Sequence, residues 1–444
     1  MRGLMAASLA VTLGFSATAP AAATMVPLAV PAASTALQDT LGDLGVRPGA
    51  TQAPVRITDQ VSASVDVGTG NFMLQIAGLS LPGVTGDTMI GLTGNSLSKE
   101  RSETSAAPQR FELTAGAAGS LSTVSGGVIY EGPDGYTAKF TAVAGSTTAF
   151  TAPAGVKADL VKTSTGYTLT SRTTATVTTF DTDGKTTTVA DRNGNKTTYT
   201  YTNGVLSKVI GTRGTAEAKT ATINVTDTAI TVAQSTSSEN RTVKFEKDST
   251  NDLAAFVDAE GKRTEFETWS GQVRKITSPT GEVTNIFYDD QDRVTRVGKV
   301  NFDGANSRTR FEYTSPTQTL VADPNTDQAA AVSAVPRTTY TLNSDQRVTA
   351  ATDAMGRAVS KTYTPDFDTA TATSGTGATA GTTTNTFGAN SGQSVTKSAS
   401  AGGAAGQATY ENTASNTKYL ANSEPSRLLC RLHTGCAAGW GAVI

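Results

Sequence analysis

Few side chains in this sequence are equipped for chemistry. The chain holds one histidine, His433, and two cysteines, Cys430 and Cys436, all close to the C-terminus. Nucleophilic catalysis of the Ser-His-Asp or Cys-His kind needs a base beside the nucleophile, and His433 is the one histidine on offer. Cys430, His433 and Cys436 stand three residues apart, a spacing that could ligate a metal. A zinc site wants four ligands and a supporting shell, which a short tail does not supply. Carboxylates cluster at Asp181 with Asp183 and at Asp289 with Asp290 and Asp292. A glycosidase would need two carboxyls held across a cleft. These stand instead at expected turns, where an aspartate bonds its own backbone. Asp191, Asn193, Gly194 and Asn195 resemble a calcium loop, but the third ligand before the glycine and the closing glutamate of an EF-hand are missing. The expectation is therefore a protein that is not an enzyme, with no catalytic residue, no metal site and no cofactor. Aromatic residues recur near strand ends: Tyr199, Tyr201, Phe266, Phe287, Tyr288, Phe311, Tyr313, Tyr340 and Tyr363. Facing out, they would form a carbohydrate-binding strip; facing in, they are core, and the core reading is the one adopted.

The elements that position these residues are announced by a glycine metre. Gly184, Gly194, Gly204 and Gly214 fall ten residues apart, and Gly261, Gly271 and Gly281 resume the interval. Between the beats lie runs of Thr, Val, Tyr and Phe, which suit a pleated, half-buried surface. One such unit is a short strand plus a tight turn, and two units make a hairpin. Asp183-Gly184, Asn193-Gly194 and Asn203-Gly204 are read as type I′ turns, whose positive φ these dipeptides tolerate. Gln346 and Gly356 keep the beat in a later stretch. The tyrosine-to-glycine spacing slips (Tyr201 stands three residues before its glycine, Tyr288 four before Asp292), which favours hairpins with loops of varying length over a strict solenoid. Upstream, Val61, Ala63, Val65 and Val67 alternate with polar residues, as do Phe72, Leu74 and Ile76, the signature of strands with one buried face. Gly132-Pro133-Asp134-Gly135 marks another hairpin.

Composition agrees. Charged residues are 17% and hydrophobic residues 37%, the former below the roughly 25% of ordinary soluble domains. Thr, Ser, Ala and Gly fill the difference, as suits long, thin β structure. The formal net charge is −2, with no basic stripe, so no nucleic-acid partner is expected. Arg2, the apolar residues 4–15 and Ala21-Ala22-Ala23 read as a secretory signal with its cleavage site. No later run approaches the roughly eighteen apolar residues of a membrane helix, so no membrane span is expected in the mature chain. Two cysteines provide no disulfide framework for an exported body; strand ladders and burial must hold it.

The organisation read from the sequence is a signal peptide at 1–23, a flexible spacer at 24–54 and an N-terminal β module at 55–165. Repeats follow at 166–368, then a Gly/Ser/Thr-rich stretch of weak strands or linker at 369–422. The tail at 423–444 breaks abruptly with the preceding texture and is read as the product of a frame change or premature stop.

Three stretches resemble the YD-repeat (RHS-repeat) family of large secreted bacterial proteins, which includes wall-associated proteins and polymorphic toxins. Phe180-Asp181 to Gly184, followed by Asp191 to Asn195 and Tyr199-Thr200-Tyr201, is similar to that family's repeat opening. Gly281-Glu282-Val283-Thr284, Tyr288-Asp289, Arg293-Val294 and Val297 are similar to its core unit. Val65-Asp66-Val67-Gly68-Thr69-Gly70-Asn71, with Leu79 to Gly83 and Asn95-Ser96-Leu97, resembles the module that often precedes the repeats. The resemblance implies an all-β fold of antiparallel β-hairpin repeats, forming a long sheet that spirals as part of a YD-repeat shell. It implies a secreted scaffold at the cell surface or cell wall, facing cell-wall polysaccharide or another cell, or the delivery shell of a toxin. Asp323-Pro324-Asn325 is the sequence's one Asp-Pro and lacks the context of the family's self-cleavage motif.

Overall fold

The computed structural model describes residues 42–83, 87–98, 106–213, 216–235, 240–300, 306–375, 380–387, 394–401 and 404–409. All belong to one compact unit, Ala33–Ile444. The expected signal, the tail with Cys430, His433 and Cys436, and Gly214 lie outside the described residues.

Three antiparallel sheets account for the fold, each a meander in which every strand pairs with its neighbours in sequence. The first holds β1 (Gln52–Arg56), β2 (Val61–Asp66), β3 (Phe72–Leu81), β4 (Thr88–Asn95) and β5 (Phe111–Ala115). The second holds β6 (Ser120–Val124), β7 (Gly127–Glu131), β8 (Thr137–Ala142) and β9 (Phe150–Thr151).

The third has 23 strands. It opens with β10 (Ala158–Thr163), β11 (Gly166–Ser171), β12 (Val177–Phe180), β13 (Thr186–Ala190), β14 (Lys196–Thr202), β15 (Val205–Arg213), β16 (Ala216–Val225) and β17 (Ala229–Ser235). It continues through β18 (Asn240–Lys247), β19 (Leu253–Val257), β20 (Arg263–Trp269), β21 (Gln272–Thr277), β22 (Val283–Tyr288), β23 (Val294–Val300), β24 (Asn306–Ser315) and β25 (Gln318–Ala322). A 3-10 turn at Val332–Ala334 precedes β26 (Arg337–Leu342), β27 (Val348–Thr352), β28 (Ala358–Tyr363) and β29 (Thr369–Ser374). The last strands are β30 (Gly381–Phe387), β31 (Ser394–Ala401) and β32 (Ala404–Thr409), so the Gly/Ser/Thr-rich stretch adds strands to the same sheet.

The strands form where period-two alternation gives one apolar face. In β2, Val61 and Val65 are fully buried while Ser62 is exposed; in β20, Thr264 and Phe266 are buried between exposed Arg263, Glu265 and Glu267. The five-stranded sheet lays its apolar face, including Phe72, Leu74, Ile76 and Phe111, against Val209, Ile230, Phe245, Phe256 and Phe311 of the long sheet in one continuous core. Burial of this kind is the main stabilising term, roughly 1.5–3 kcal/mol for each large apolar side chain.

Bulges bend the long sheet. The register shifts by one residue just before the turns at Thr179/Phe180, Thr200/Tyr201, Glu246/Lys247, Phe287/Tyr288, Thr341/Leu342 and Thr362/Tyr363. The extra residue increases local twist. A hydroxyl on the bulged strand often accepts the role of pin: Thr187, Thr295 and Thr349 Oγ1 donate to Thr179, Phe287 and Thr341 O at 3.1–3.2 Å. The curl brings Lys157, just before β10, within 2.8 Å of Asp368 in the turn between β28 and β29. The end strands β10 and β32 do not pair with each other, so the sheet is not closed into a barrel.

The turns correct one expectation. A type I′ turn has positive φ at both central residues, and this holds at Asn203-Gly204 (51° and 83°) and Ser270-Gly271 (50° and 76°). At Asp183-Gly184 and Asn193-Gly194 the positive φ is confined to the glycine. There a type I turn is followed by a left-handed residue, closed by Asp181 and Asp191, whose Oδ1 atoms accept two backbone N–H bonds each. Asp248, Asp258, Asp289, Asn343 and Asp353 repeat the arrangement. The dipeptide is the same in both turns; the capping carboxylate two residues earlier decides between them.

Consecutive turns point to opposite edges of a meander, so the ten-residue metre is two interleaved twenty-residue ones. On one edge Gly194, Gly261, Gly281 and Gly356 have open space where a Cβ would stand. There the demand for glycine is conformational alone, with φ of 79° at Gly261. Gly261→Ala is expected to cost about 1 kcal/mol, and Gly261→Asn less, since asparagine tolerates the left-handed region. Urea unfolding of the two variants beside the native chain checks the order.

Candidate functional site

On the opposite edge the same turn position is filled by Asn251, Asp292, Gln346 and Phe367, all at φ between 57° and 62°. Each touches the N-terminal part of the chain, and together they build the most elaborate polar site of the described residues. Asn251 O accepts from Gln109 N at 2.9 Å, and Asn251 Nδ2 donates to Ala107 O at 3.1 Å. Arg110 Nε donates to Ser270 O at 2.8 Å, and its Nη1 meets Ser96 O and, at 2.9 Å, Asp292 Oδ2. Gln272 Nε2 holds the second oxygen of Asp292 at 2.7 Å. Earlier along the edge, Leu121 N donates to Gly184 O at 2.8 Å, and Gly119 and Thr186 exchange two bonds. The left-handed conformation of a non-glycine residue costs energy, which these contacts offset.

Residues 66–71, picked out by resemblance, sit at the centre of this junction. Asp66 is 1% exposed and takes Arg47 Nε and Nη2 at 3.1 and 3.0 Å, together with the N–H groups of Gly68 and Thr69. A Cβ on Gly68 would lie 2.1 Å from Gln346 O, and one on Gly70 would lie 2.6 Å from the Arg293 side chain. The two glycines let the module approach turns of the long sheet at backbone distance. Gly70 O then accepts from Val294 N at 3.0 Å, and Val67 O from Thr319 Oγ1 at 2.9 Å. Asn71 Nδ2 reaches Asn95 Oδ1 at 2.7 Å, linking the two motif segments.

A second cluster lies beside it. Arg347 is 1% exposed, with its guanidinium 3.5 Å from the Phe367 ring centroid and Nε bonded to Pro48 O at 2.6 Å. Burial, reinforced by the nearby Arg47 charge, lowers its pKa to about 10. Burial also raises the pKa of Asp43, against the pull of Arg47. Tyr363 Oη donates to Val348 O at 2.7 Å and to Gly49 O at 3.4 Å. Gly42 to Pro54, part of the stretch read from the sequence as a spacer, is thus packed in this junction, with β1 beginning at Gln52.

The Tyr-Asp pair acquires a physical meaning here. Tyr288 is turned inward, its hydroxyl donating to Val273 O at 2.8 Å on the preceding strand, while Asp289 caps the turn and holds Arg293 Nε at 2.8 Å. Burial holds the Tyr288 phenol far above its usual range. Tyr313 repeats the bond to Val294 O at 2.7 Å. One residue locks adjacent repeats together and the next closes the hairpin.

Of the carboxylates singled out by sequence, Asp181, Asp191 and Asp289 are separate turn caps and Asp292 is an ion-pair partner. Asp181 and Asp289 serve their own backbones, Asp292 serves Arg110, and Asp191 serves residues 193–195. Asp323 takes the N–H of Asn325 at 3.1 Å, which places the Asp-Pro pair in a turn. Tyr199, Phe266 and Phe311 are buried, and Tyr201, Tyr288 and Tyr313 pack against the same core. Tyr340 packs beside Leu342 and Val348. Phe287 is the correction: it is 39% exposed on the outer face, because it follows buried Ile286 on a strand whose inner face is already set. Among the described residues no group of three or more His, Cys, Asp or Glu side chains converges, and no helix is long and apolar enough to cross a membrane. Sequence reasoning missed Arg47, Arg110, Arg347 and Phe367; the available signal was the non-glycine residues standing on the beat.

No family model matches the chain, and no curated protein matches it. Among solved structures it is similar to TcdB2-TccC3 with Cdc42, at 11% identity and TM-score 0.34 over 79% of this chain. It is also similar to TcdB2-TccC3 without its hypervariable C-terminal region, at 11% identity and TM-score 0.32 over 78% of this chain. The Photorhabdus luminescens Tc holotoxin pore matches at 10% identity and TM-score 0.26 over 81%. This chain spans 20%, 21% and 26% of those chains.

Proposed function

We propose that this chain is a secreted, non-enzymatic scaffold of the YD-repeat kind, a structural or interaction protein at the cell surface. The observation that supports the reading is the junction: described residues between 42 and 157 meet turns on one edge of the long sheet at Gly184, Asn251, Ser270, Asp292, Gln346 and Asp368. Such a clasp holds a curled sheet in one curvature. It uses the buried Arg47–Asp66 pair, Arg110 with Asp292, and Arg347 to hold strands and turns together. Secretion rests on Arg2, residues 4–15 and the Ala21-Ala22-Ala23 site.

Two measurements test the reading. Calorimetry of the mature chain should give one cooperative transition, since module and sheet share a core; separate transitions for the two would overturn the clasp. Fractionation of an expressing culture should place the chain outside the cytoplasm with its N-terminus at Thr24. A cytoplasmic chain retaining Met1 would overturn secretion.

A further inference from the structure

The dipeptide Asn-Gly stands at two turns of the long sheet, Asn193-Gly194 and Asn203-Gly204, ten residues apart. In this pair the glycine nitrogen can close on the asparagine side chain, because the glycine has no Cβ to shield it. Both asparagines are exposed, but the two turns treat that nitrogen differently. Gly194 N donates to Asp191 O at 3.1 Å, and Asn193 N donates to Asp191 Oδ1 at 2.8 Å. The nucleophile is occupied there, and a carboxylate holds the turn shut.

At the second turn neither the Gly204 N–H nor the Asn203 side chain makes a hydrogen bond with the described residues. No capping carboxylate closes it, and Asn203 itself is left-handed, with φ of 51°. A cation stands where the first turn has an anion. Lys185 Nζ lies 3.3 Å from the point that a Cβ on Gly204 would occupy, and 5.7 Å from the Tyr201 ring centroid. Lys185 forms no ion pair among the described residues. At Gly194 no atom comes within 4 Å of the same point. The Asn203 turn also borders a cavity of about 250 Å³, lined by Tyr201, Gly204 and Leu206 together with Gly119, Ser120 and Pro133.

We propose that Asn203 is a site of spontaneous deamidation, through which the folded chain acquires isoaspartate at this turn in preference to Asn193. Hydroxide removes the Gly204 N–H proton, and the nitrogen electron pair attacks Asn203 Cγ. The Cγ–Nδ2 bond then breaks, and ammonia leaves with a proton from water, which restores the hydroxide. Water opens the resulting succinimide ring at either carbonyl, giving aspartate or isoaspartate, so ammonia is exchanged for water overall. The Lys185 ammonium stabilises the negative charge on the nitrogen and on the Cγ oxygen, charge that Asp191 opposes at the other turn. It then pairs with the new carboxylate. Isoaspartate lengthens the backbone by one carbon, for which the neighbouring cavity leaves room. The chemistry goes beyond the scaffold reading and does not depend on it.

The test ages the mature full-length chain in mildly alkaline buffer of low ionic strength. Peptides containing each Asn-Gly are followed by mass, where deamidation is a gain of about 1 Da, and isoaspartate is confirmed by enzymatic methyl transfer. Asn203 is expected to convert roughly fivefold faster than Asn193. Lys185→Gln should remove most of that lead and Lys185→Arg should keep it, while added salt should shrink it in the unaltered chain. In urea, where both turns are unfolded, the two rates should converge. A Lys185→Gln chain that had merely loosened would convert faster at Asn203, the opposite sign, and the salt series needs no variant at all. Conversion at Asn203 no faster than at Asn193 overturns the proposal. So does a lead that survives both Lys185→Gln and added salt, or one that persists in urea.

Discussion

Asp66→Ala is expected to destabilise the protein by about 3–5 kcal/mol, the range found when one partner of a buried ion pair is removed. Arg47 and Asp66 are 5% and 1% exposed, so neither charge can be rescreened by water when the other is lost. Of its hydrogen bonds among the described residues, Arg47 would keep the long contacts to Asp345 and Gln346 O, at 3.4 and 3.5 Å. The Gly68 and Thr69 N–H groups would lose their acceptor too, and an unmet buried donor costs about 1–3 kcal/mol. The double replacement Arg47→Met with Asp66→Leu should recover part of the loss, because the buried guanidinium goes with its partner. Equilibrium urea unfolding of the two single variants and the double variant measures the coupling. A loss below 1 kcal/mol for Asp66→Ala would show that the junction does not hold the module on the sheet.

Phe245→Ala should cost a similar amount, about 3–5 kcal/mol for a fully buried phenylalanine. Its ring is inaccessible, lies 5.2 Å from the Phe256 centroid in a stacked pair, and reaches Gly78 on β3 with its Cζ. It is one of the residues through which the five-stranded sheet and the long sheet share a core. Both walls of the resulting cavity are hydrogen-bonded strands, which cannot collapse inward without breaking ladder bonds. Phe245→Leu keeps most of the volume and should lose less than 1.5 kcal/mol or so. The comparison is read from denaturation midpoints at constant slope. Equal costs for Ala and Leu would mean that ring stacking, rather than filled volume, carries the contact.

Much of the fold was legible because its signals are local. Alternation in Val61, Ala63 and Val65 has the period of a pleat, and the sheet buries that face. Glycine at the beat marks turns, since positive φ is a property of a residue and its immediate neighbours. The junction was less legible. Arg47 meets residues 298 and 299 positions away, and Tyr363 bonds Gly49 across 314; no spacing in the sequence encodes such pairs. Phe287 and Ile286 are adjacent apolar residues, and only the packing of the inner face tells which is core.

The sequence by itself determined that the chain is an antiparallel β meander, where its hairpins turn, and that its scarce histidine and cysteines lie outside the repeats. Each of these follows from short-range sterics, side-chain period and composition. The tertiary structure alone decided that one edge of the long sheet is clasped and the other open. It assigned Asp66, Gly68 and Gly70 to the clasp, and let Asn251, Asp292, Gln346 and Phe367 stand where a free turn would want glycine. The reason is energetic: the strain of a left-handed residue and the desolvation of a buried charge are local costs, while the contacts that offset them come from segments far apart in the chain.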